Sequence, residues 1–131
     1  EEALAAYGEI VGSAFQLSDD IIDIASDSVE SGKTPGTDLR EGVPTLPVLM
    51  AQASNAPDDA RLRELLSGPL TDDTRHAEAL GLLRVHPAMD QARAYVIERA
   101  AEAKALLGVL PDGPVRAALE AFADVVATRS S

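Results

Sequence analysis

The feature that most constrains the fold is a helical pattern that continues without a break through residues 2–27. Apolar residues recur there at intervals of three and four, which is the spacing of one face of an α-helix. At about 100° per residue, one side of this helix collects Ile10, Val11, Ala14, Phe15, Ile21, Ile22 and Ala25. A helix of this length has to bury its apolar side, so the rest of the chain should supply packing partners.

Those partners are predicted to be helices as well. Three Gly and two Pro interrupt residues 28–44, which predicts a loop. After it, Thr45 is a plausible N-cap for a short apolar helix. Further helices are predicted over residues 46–53, 60–67, 74–84, 87–110 and 115–128. Because no stretch alternates between apolar and polar residues over a useful length, the predicted fold class is all-α.

Composition limits the function classes. The chain has 131 residues, which suffices for one domain with a core, and a formal net charge of −11. That charge argues against nucleic acid as a partner. Cysteine is absent, which excludes disulfides and thiolate metal sites. No apolar run approaches the roughly 20 residues that span a bilayer. We therefore expect no stable membrane insertion.

A row of acidic side chains follows the other side of the first helix. Gln16, Asp19, Asp20, Asp23 and Asp27 fall within an arc of about 100°. Asp19 and Asp23 form a like-charge pair one turn apart, which costs roughly 0.2–0.5 kcal/mol. An acidic face that only contacts water is one interpretation. The other is a Mg²⁺ site, because this cation binds through one or two carboxylates and retains several waters.

The predicted loop places cations directly after this acidic row. Lys33 and Arg40 are the residues concerned, and glycines at 32, 36 and 42 allow a close approach of the backbone to a ligand. Lysine binds phosphate as a point charge, whereas arginine donates two parallel hydrogen bonds. An ordinary surface loop would have a similar composition. The combination with the carboxylates indicates a site for a metal-bound diphosphate.

Together these segments closely resemble the second aspartate-rich region of the trans-isoprenyl (polyprenyl) diphosphate synthases. In that family, Phe-Gln-x-x-Asp-Asp-x-x-Asp continues into Gly-Lys-x-x-Gly-x-Asp-Leu and a Thr-Leu-Pro before the next helix. The matching residues are Phe15, Gln16, Asp19, Asp20, Asp23, Gly32, Lys33, Gly36, Asp38, Leu39, Thr45, Leu46 and Pro47. The resemblance implies an all-α bundle around a deep cavity, and a homodimer in the complete enzyme.

The resemblance also implies a reaction and a role for each residue. An allylic diphosphate is elongated by isopentenyl diphosphate with loss of pyrophosphate, and Mg²⁺ is the cofactor. Asp19 would be the main metal ligand, and Asp20 and Asp23 would hold the waters of the metal or orient it. Gln16 would line the reacting end of the cavity. The diphosphate would bind Lys33, together with Gln16 and Arg40.

Two departures from the family pattern qualify this interpretation. Val43 stands where many members carry Lys or Arg, and the first Asp-Asp-x-x-Asp motif does not occur in the chain. The sequence also begins at Glu1, inside a helical pattern. We therefore expect residues 1–131 to be the C-terminal part of a single polyprenyl synthetase domain, inactive alone. A non-catalytic subunit of a heteromeric synthase and a terpene cyclase of similar fold are the alternatives.

The remaining polar and aromatic candidates receive structural interpretations. We expect His76 on the surface of a helix, His86 in the break before Pro87, and Arg129 in an exposed, frayed tail. Tyr95 and Phe122 occupy apolar helical positions and are predicted to lie in the core. Exposed ion pairs are expected for Arg99, Lys104 and Arg116. Capping and dipole complementarity are expected for Asp58 and Asp59.

Overall fold

The computed structural model describes residues 2–25 and 36–130, and within those residues the secondary structure is entirely helical, without a strand. The all-α prediction is confirmed. The α-helices are α1 (Glu2–Ala25), α2 (Thr37–Glu41), α3 (Leu46–Gln52), α4 (Ala60–Leu65), α5 (Asp73–Arg84), α6 (Pro87–Leu106) and α7 (Pro114–Thr128). Short 3-10 helices occupy Pro57–Asp59 and Leu107–Val109. Lys33 and Asp27 lie outside the described residues.

Helix α2 lies inside the segment that was predicted to be a loop, so that prediction is wrong for Thr37–Glu41. Gly36 and Gly42 flank the helix, with φ of 75° and 77° respectively. Glycine reaches this left-handed conformation without the steric cost that a Cβ imposes. The two glycines therefore mark the two ends of a single helical turn. The sequence did not predict this turn because Gly and Pro are frequent in the segment.

The buried stripe of α1 differs from the predicted one. Phe15 is 36% exposed, Ile22 is half-buried and Ala25 is exposed, although all three were predicted to pack. Val11, Ala14 and Ile21 are buried as predicted. The complete buried stripe follows intervals of three and four residues: Tyr7, Val11, Ala14, Ser18, Ile21 and Ile24. Ser18 is accommodated because its hydroxyl donates to the Phe15 carbonyl at 2.6 Å, which satisfies it within the helix.

Contacts divide the chain into two compact units, and α1 contributes to both. The first unit comprises Glu1–Asp19 and Arg93–Ser131. Its buried side chains include Val11, Ala14, Val96, Ala100, Ala103, Leu107, Ala123 and Val126. The Tyr7 hydroxyl donates to the Leu119 carbonyl at 2.6 Å, which ties α1 to α7. Burial raises the pKa of Tyr7 above its ordinary value.

The second unit comprises Asp20–Ala92. Helix α4 packs against α3 and α5, and the buried apolar side chains include Ile21, Ile24, Leu39, Val48, Leu62, Leu65, Leu83 and Met89. Arg84 Nε donates to the Ile24 carbonyl at 2.8 Å, so the last turn of α1 is tied to α5. Exposed Arg61 and Glu78 pair at 2.8 Å between α4 and α5, and the Arg61 hydrogen bond lowers the pKa of Glu78.

Asp59 has a different role from the predicted helix cap. It precedes α4, but its carboxylate makes no capping hydrogen bond there. It accepts instead from the Ser54 hydroxyl and from His86 Nε2, the latter at 2.9 Å. These two bonds, with Ser54 first, lower the pKa of Asp59. The Asp59–His86 hydrogen bond therefore connects the residues that precede α4 with the residues that precede α6.

Other local predictions have mixed outcomes. Tyr95 and Phe122 are 39% and 44% exposed, so the core prediction is wrong for both. The buried positions of α6 are Ala88, Met89, Ala92, Val96, Ala100 and Ala103, which leaves Tyr95 beside the buried face. Surface ion pairs are confirmed for Arg99 with Glu102, Lys104 with Asp124, and Arg116 with Asp112 and Glu120.

Thr45 occupies the N-cap position of α3 but its side chain makes no capping hydrogen bond, and its hydroxyl is buried without a partner among the described residues. Within residues 2–25 and 36–130, every helix is too short or too polar to span a bilayer.

Candidate metal and diphosphate site

Helix α1 carries four of the residues that the sequence assigns to the site. Gln16 is exposed, and Asp19, Asp20 and Asp23 are each half-buried. Asp19 belongs to the first compact unit, whereas Asp20 and Asp23 belong to the second.

Asp19 is paired with an arginine from the end of α7. Arg129 Nη1 donates to Asp19 Oδ1 at 2.8 Å and to the Ser18 hydroxyl at 2.9 Å. The Arg129 guanidinium also lies over the Phe15 ring, with its central carbon 4.1 Å from the ring centroid. The prediction of a frayed tail is therefore wrong for Arg129, which is held by α1.

Phe15 is the platform for this arrangement. Its ring stacks on Phe122 of α7, with centroids 6.4 Å apart and an angle of 18° between the planes. A cation over an aromatic face contributes about 0.5–1 kcal/mol at exposed sites. Both rings are partly exposed, which contradicts the core prediction for Phe122. They pack α7 and Arg129 against α1.

Asp23 holds the residues at the start of α2. The Asp23 carbonyl accepts from the Gly36 amide at 2.9 Å, and Asp23 Oδ2 accepts from the Asp38 amide at 3.3 Å. The carboxylate thus accepts from an amide in the first turn of α2, which would otherwise have no partner within the helix. The predicted metal-site residue also has a structural role.

The His76 ring also contacts Gly36. Its Nε2 lies 2.8 Å from the Gly36 carbonyl oxygen, and its Nδ1 lies 3.4 Å from Arg40 Nη2. A carbonyl only accepts and a guanidinium only donates, so Nε2 carries the hydrogen and Nδ1 accepts. His76 is 6% exposed, which overturns the surface prediction. The apolar spacing of His76 with Ala79, Leu80 and Leu83 was a signal of its burial.

Arg40 was predicted to bind the diphosphate, and in the structure its guanidinium already has several partners. Nη1 pairs with Asp73 at 2.9 Å and donates to the Thr71 carbonyl at 3.4 Å, in addition to the His76 contact. Arginine has five N–H donors, so these contacts leave donor capacity. They also direct Arg40 toward the start of α5.

The chemistry of the donors fits Mg²⁺. Among residues 2–25 and 36–130, no three Asp, Glu, His or Cys side chains converge into a cation cage. Mg²⁺ does not require one, because it retains water and binds through one or two carboxylates plus substrate phosphates. Asp19 uses Oδ1 for Arg129, and Asp23 uses Oδ2 for Asp38. In the sequence the two aspartates are four positions apart.

Solved structures with the same fold define the class of protein. The geranylgeranyl pyrophosphate synthase of Corynebacterium glutamicum, in complex with calcium and isoprenyl diphosphate, superposes with a TM-score of 0.89 at 44% sequence identity. The match covers 98% of this chain and 40% of that one. The chain therefore has the helical fold of isoprenyl diphosphate synthases.

Sequence comparisons identify the family. The family model described as "Polyprenyl synthetase" matches residues 1–83, and the chain belongs to that family. Nonaprenyl diphosphate synthase of Mycobacterium tuberculosis is 53% identical over 128 residues, covering 98% of this chain and 38% of that protein. Octaprenyl diphosphate synthase of Escherichia coli is 36% identical, covering 98% and 40%. The chain spans less than half the length of these relatives. The resemblance inferred from the motifs is confirmed.

Proposed function

We propose that the chain is the C-terminal part of a Mg²⁺-dependent trans-isoprenyl diphosphate synthase. The complete enzyme would extend an allylic diphosphate with isopentenyl diphosphate and release pyrophosphate. One observation carries this proposal: the family match over residues 1–83 includes both the carboxylates of α1 and the anchor at Gly36. The crystal structure of a relative in complex with calcium and isoprenyl diphosphate supports the choice of a divalent cation and a diphosphate.

In this proposal, Asp19 and Asp20 present oxygen ligands to Mg²⁺, and Asp23 orients them while it fixes the start of α2. When bound, the cation would neutralise the charge that develops on the departing pyrophosphate. Gln16, exposed on α1, would face the reacting end of the substrate.

The diphosphate would be bound by Lys33, for which the support is the motif alone. Gly36 is held at Asp23 and His76, and this fixes the chain shortly after Lys33. Arg40 would contribute one remaining donor, since the contacts with Asp73, Thr71 and His76 leave others available.

Further parts of the proposal follow the family assignment. The residues 1–131 would form the C-terminal part of a single polyprenyl synthetase domain, cytoplasmic and homodimeric in the complete enzyme, with no nucleic-acid partner. The chain contains one aspartate-rich motif. A cation clamp for diphosphate needs ligands on two sides, so the 131 residues alone should not elongate a substrate.

The test is a steady-state assay of the complete enzyme with Mg²⁺ and both substrates. Asp19→Asn, which preserves size and removes the charge, should lower turnover by about 100-fold or more, a typical loss for a group that stabilises transition-state charge. Glu9→Gln is the matched control, because it removes an exposed carboxylate from the same helix outside the acidic row. Near-normal turnover by Asp19→Asn would contradict the metal role.

The isolated 131-residue chain provides a second test. Product formed by this chain with Mg²⁺ and both substrates would contradict the proposal that it is an incomplete site. An inactive complete protein that gains activity only with a second polypeptide would instead favour the alternative of a non-catalytic subunit.

A further inference from the structure

The proposed metal ligand Asp19 forms an ion pair with a positively charged side chain of the same chain. Arg129 Nη1 lies 2.8 Å from Asp19 Oδ1, and the two side chains are 27% and 41% exposed respectively. A typical surface ion pair contributes between 0 and 1 kcal/mol, so the pair alone would not explain why an arginine is placed here. Arg129 has a larger effect on the affinity of Asp19 for a metal cation, because the guanidinium and the metal carry charges of the same sign and repel each other.

The Arg129 guanidinium has anchors that do not involve Asp19. It donates to the Ser18 hydroxyl at 2.9 Å and to the Phe15 carbonyl at 3.4 Å, and it lies over the Phe15 ring. Phe122 supports that ring from α7. These contacts would persist if Asp19 turned to a metal, so the positive charge stays beside the carboxylate in either state.

We propose that Arg129 is a built-in counter-ion that weakens the binding of divalent cations at Asp19. This inference rests on the proposed metal role of Asp19. A cation that binds there shares the carboxylate with a fixed positive charge, and it gains full affinity only when an anionic ligand such as a diphosphate adds compensating negative charge. Arg129 acts through Asp19, and is therefore a positioning residue for the metal site.

The size of the effect follows from Coulomb's law. A unit charge several ångströms from a divalent cation, in a solvent-exposed setting, changes the cation affinity by about fivefold. Removal of the Arg129 charge should therefore tighten metal binding by about this factor. A purely structural role predicts the opposite direction, because loss of an anchor disorders the ligand and weakens binding.

The experiment is a titration of the 131-residue chain with Mn²⁺, whose free concentration is read from its electron paramagnetic resonance signal. Arg129→Gln should bind Mn²⁺ about fivefold more tightly than the unaltered chain, and Arg129→Lys, which retains the charge, should stay within about twofold of it. Arg99→Gln is the matched control: Arg99 also pairs with a carboxylate, that of Glu102 at 3.1 Å, and lies over the ring of Tyr95. It should leave the affinity unchanged.

A second measurement needs no variant. In the unaltered chain, saturating Mg²⁺ should shift the nuclear magnetic resonance signal of the Arg129 Nε–H group, while that of Arg99 stays in place. Unchanged or weaker Mn²⁺ binding by Arg129→Gln would overturn the inference. So would an Arg129 signal that does not respond to Mg²⁺.

Asp19→Asn separates this inference from the proposal on which it rests. If Asp19→Asn weakens Mn²⁺ binding but Arg129→Gln does not strengthen it, Asp19 is a ligand and only the counter-ion role fails. If Asp19→Asn leaves Mn²⁺ binding unchanged, the proposed metal role of Asp19 and the counter-ion role fail together.

Discussion

Substitution of Gly36 by alanine should destabilise the second compact unit more than the addition of one methyl group suggests. Gly36 has φ of 75°, a conformation that a residue with a Cβ adopts at a cost of roughly 1–2 kcal/mol. A Cβ at this position would also lie 2.8 Å from His76 Nε2 and 3.1 Å from Leu80 Cδ1. His76 is buried and bonded on both ring nitrogens, so it has little freedom to move away.

The backbone strain and the displacement of His76 both contribute to the expected loss of stability. Displacement of His76 would lose its hydrogen bond to the Gly36 carbonyl, a net loss of about 1 kcal/mol. Together with the backbone strain, Gly36→Ala should lower the free energy of unfolding by about 2–3 kcal/mol. The backbone strain alone would give about 1–2 kcal/mol.

Two other glycines provide matched controls. Gly42 has φ of 77°, but the nearest atoms to its Cβ would belong to Pro69 at 3.3 Å. Gly42→Ala should therefore cost the backbone strain of about 1–2 kcal/mol, plus the small shift that relieves the contact with exposed Pro69. Gly81 lies within α5, and a Cβ there would meet nothing within 4 Å. Gly81→Ala should stabilise the chain by up to about 1 kcal/mol.

The assay is urea unfolding of the 131-residue chain and the three variants, followed by circular dichroism at 222 nm. The loss of unfolded-state entropy is common to all Gly→Ala changes, so the comparison between variants removes it. Equal destabilisation by Gly36→Ala and Gly42→Ala would refute the close packing of His76 on Gly36. Such a result would mean that the loss of stability comes from the backbone conformation alone.

Two further predictions concern the stability of the second unit. Because Ser54 and His86 lower the pKa of Asp59, its carboxylate contributes stability above its ordinary pKa near 4, and this is lost as the pH falls through the lower folded value. Asp59→Asn should therefore destabilise the chain at pH 6 and progressively less toward pH 3 in urea unfolding; a cost independent of pH would contradict this. Leu83→Ala should cost about 3–5 kcal/mol because Leu83 is fully buried, whereas Leu82→Ala, at a position 37% exposed, should cost under about 1 kcal/mol; thermal unfolding that ranks the two equally would show that α5 packs differently.

Local pattern was sufficient for most of the helices. The predicted helix over residues 2–27 is α1 as far as Ala25, and Pro87 begins α6 as expected. Helical periodicity and the Gly and Pro breaks are properties of neighbouring residues, so the sequence contains them directly. Helix α2 was missed because its single turn depends on Gly36 and Gly42 in left-handed conformations.

The side-chain partners could not be predicted in the same way. His76 is buried because it bonds to Gly36, forty positions earlier in the sequence, and Arg129 is ordered because it bonds to Asp19, one hundred and ten positions away. Nothing adjacent to either residue encodes its partner. The motif predicted the carboxylates of α1, but not that one of them would carry an arginine and another would cap α2.

The two hydrogen bonds that Asp23 accepts, from the Gly36 and Asp38 amides, couple the opening of α2 to that of α1. Helix α2 has only five residues and would fray readily by itself. The amides of Gly36 and Asp38 exchange with solvent only when their bonds to α1 break. The start of α2 should therefore be protected from hydrogen exchange to an extent typical of a much longer helix.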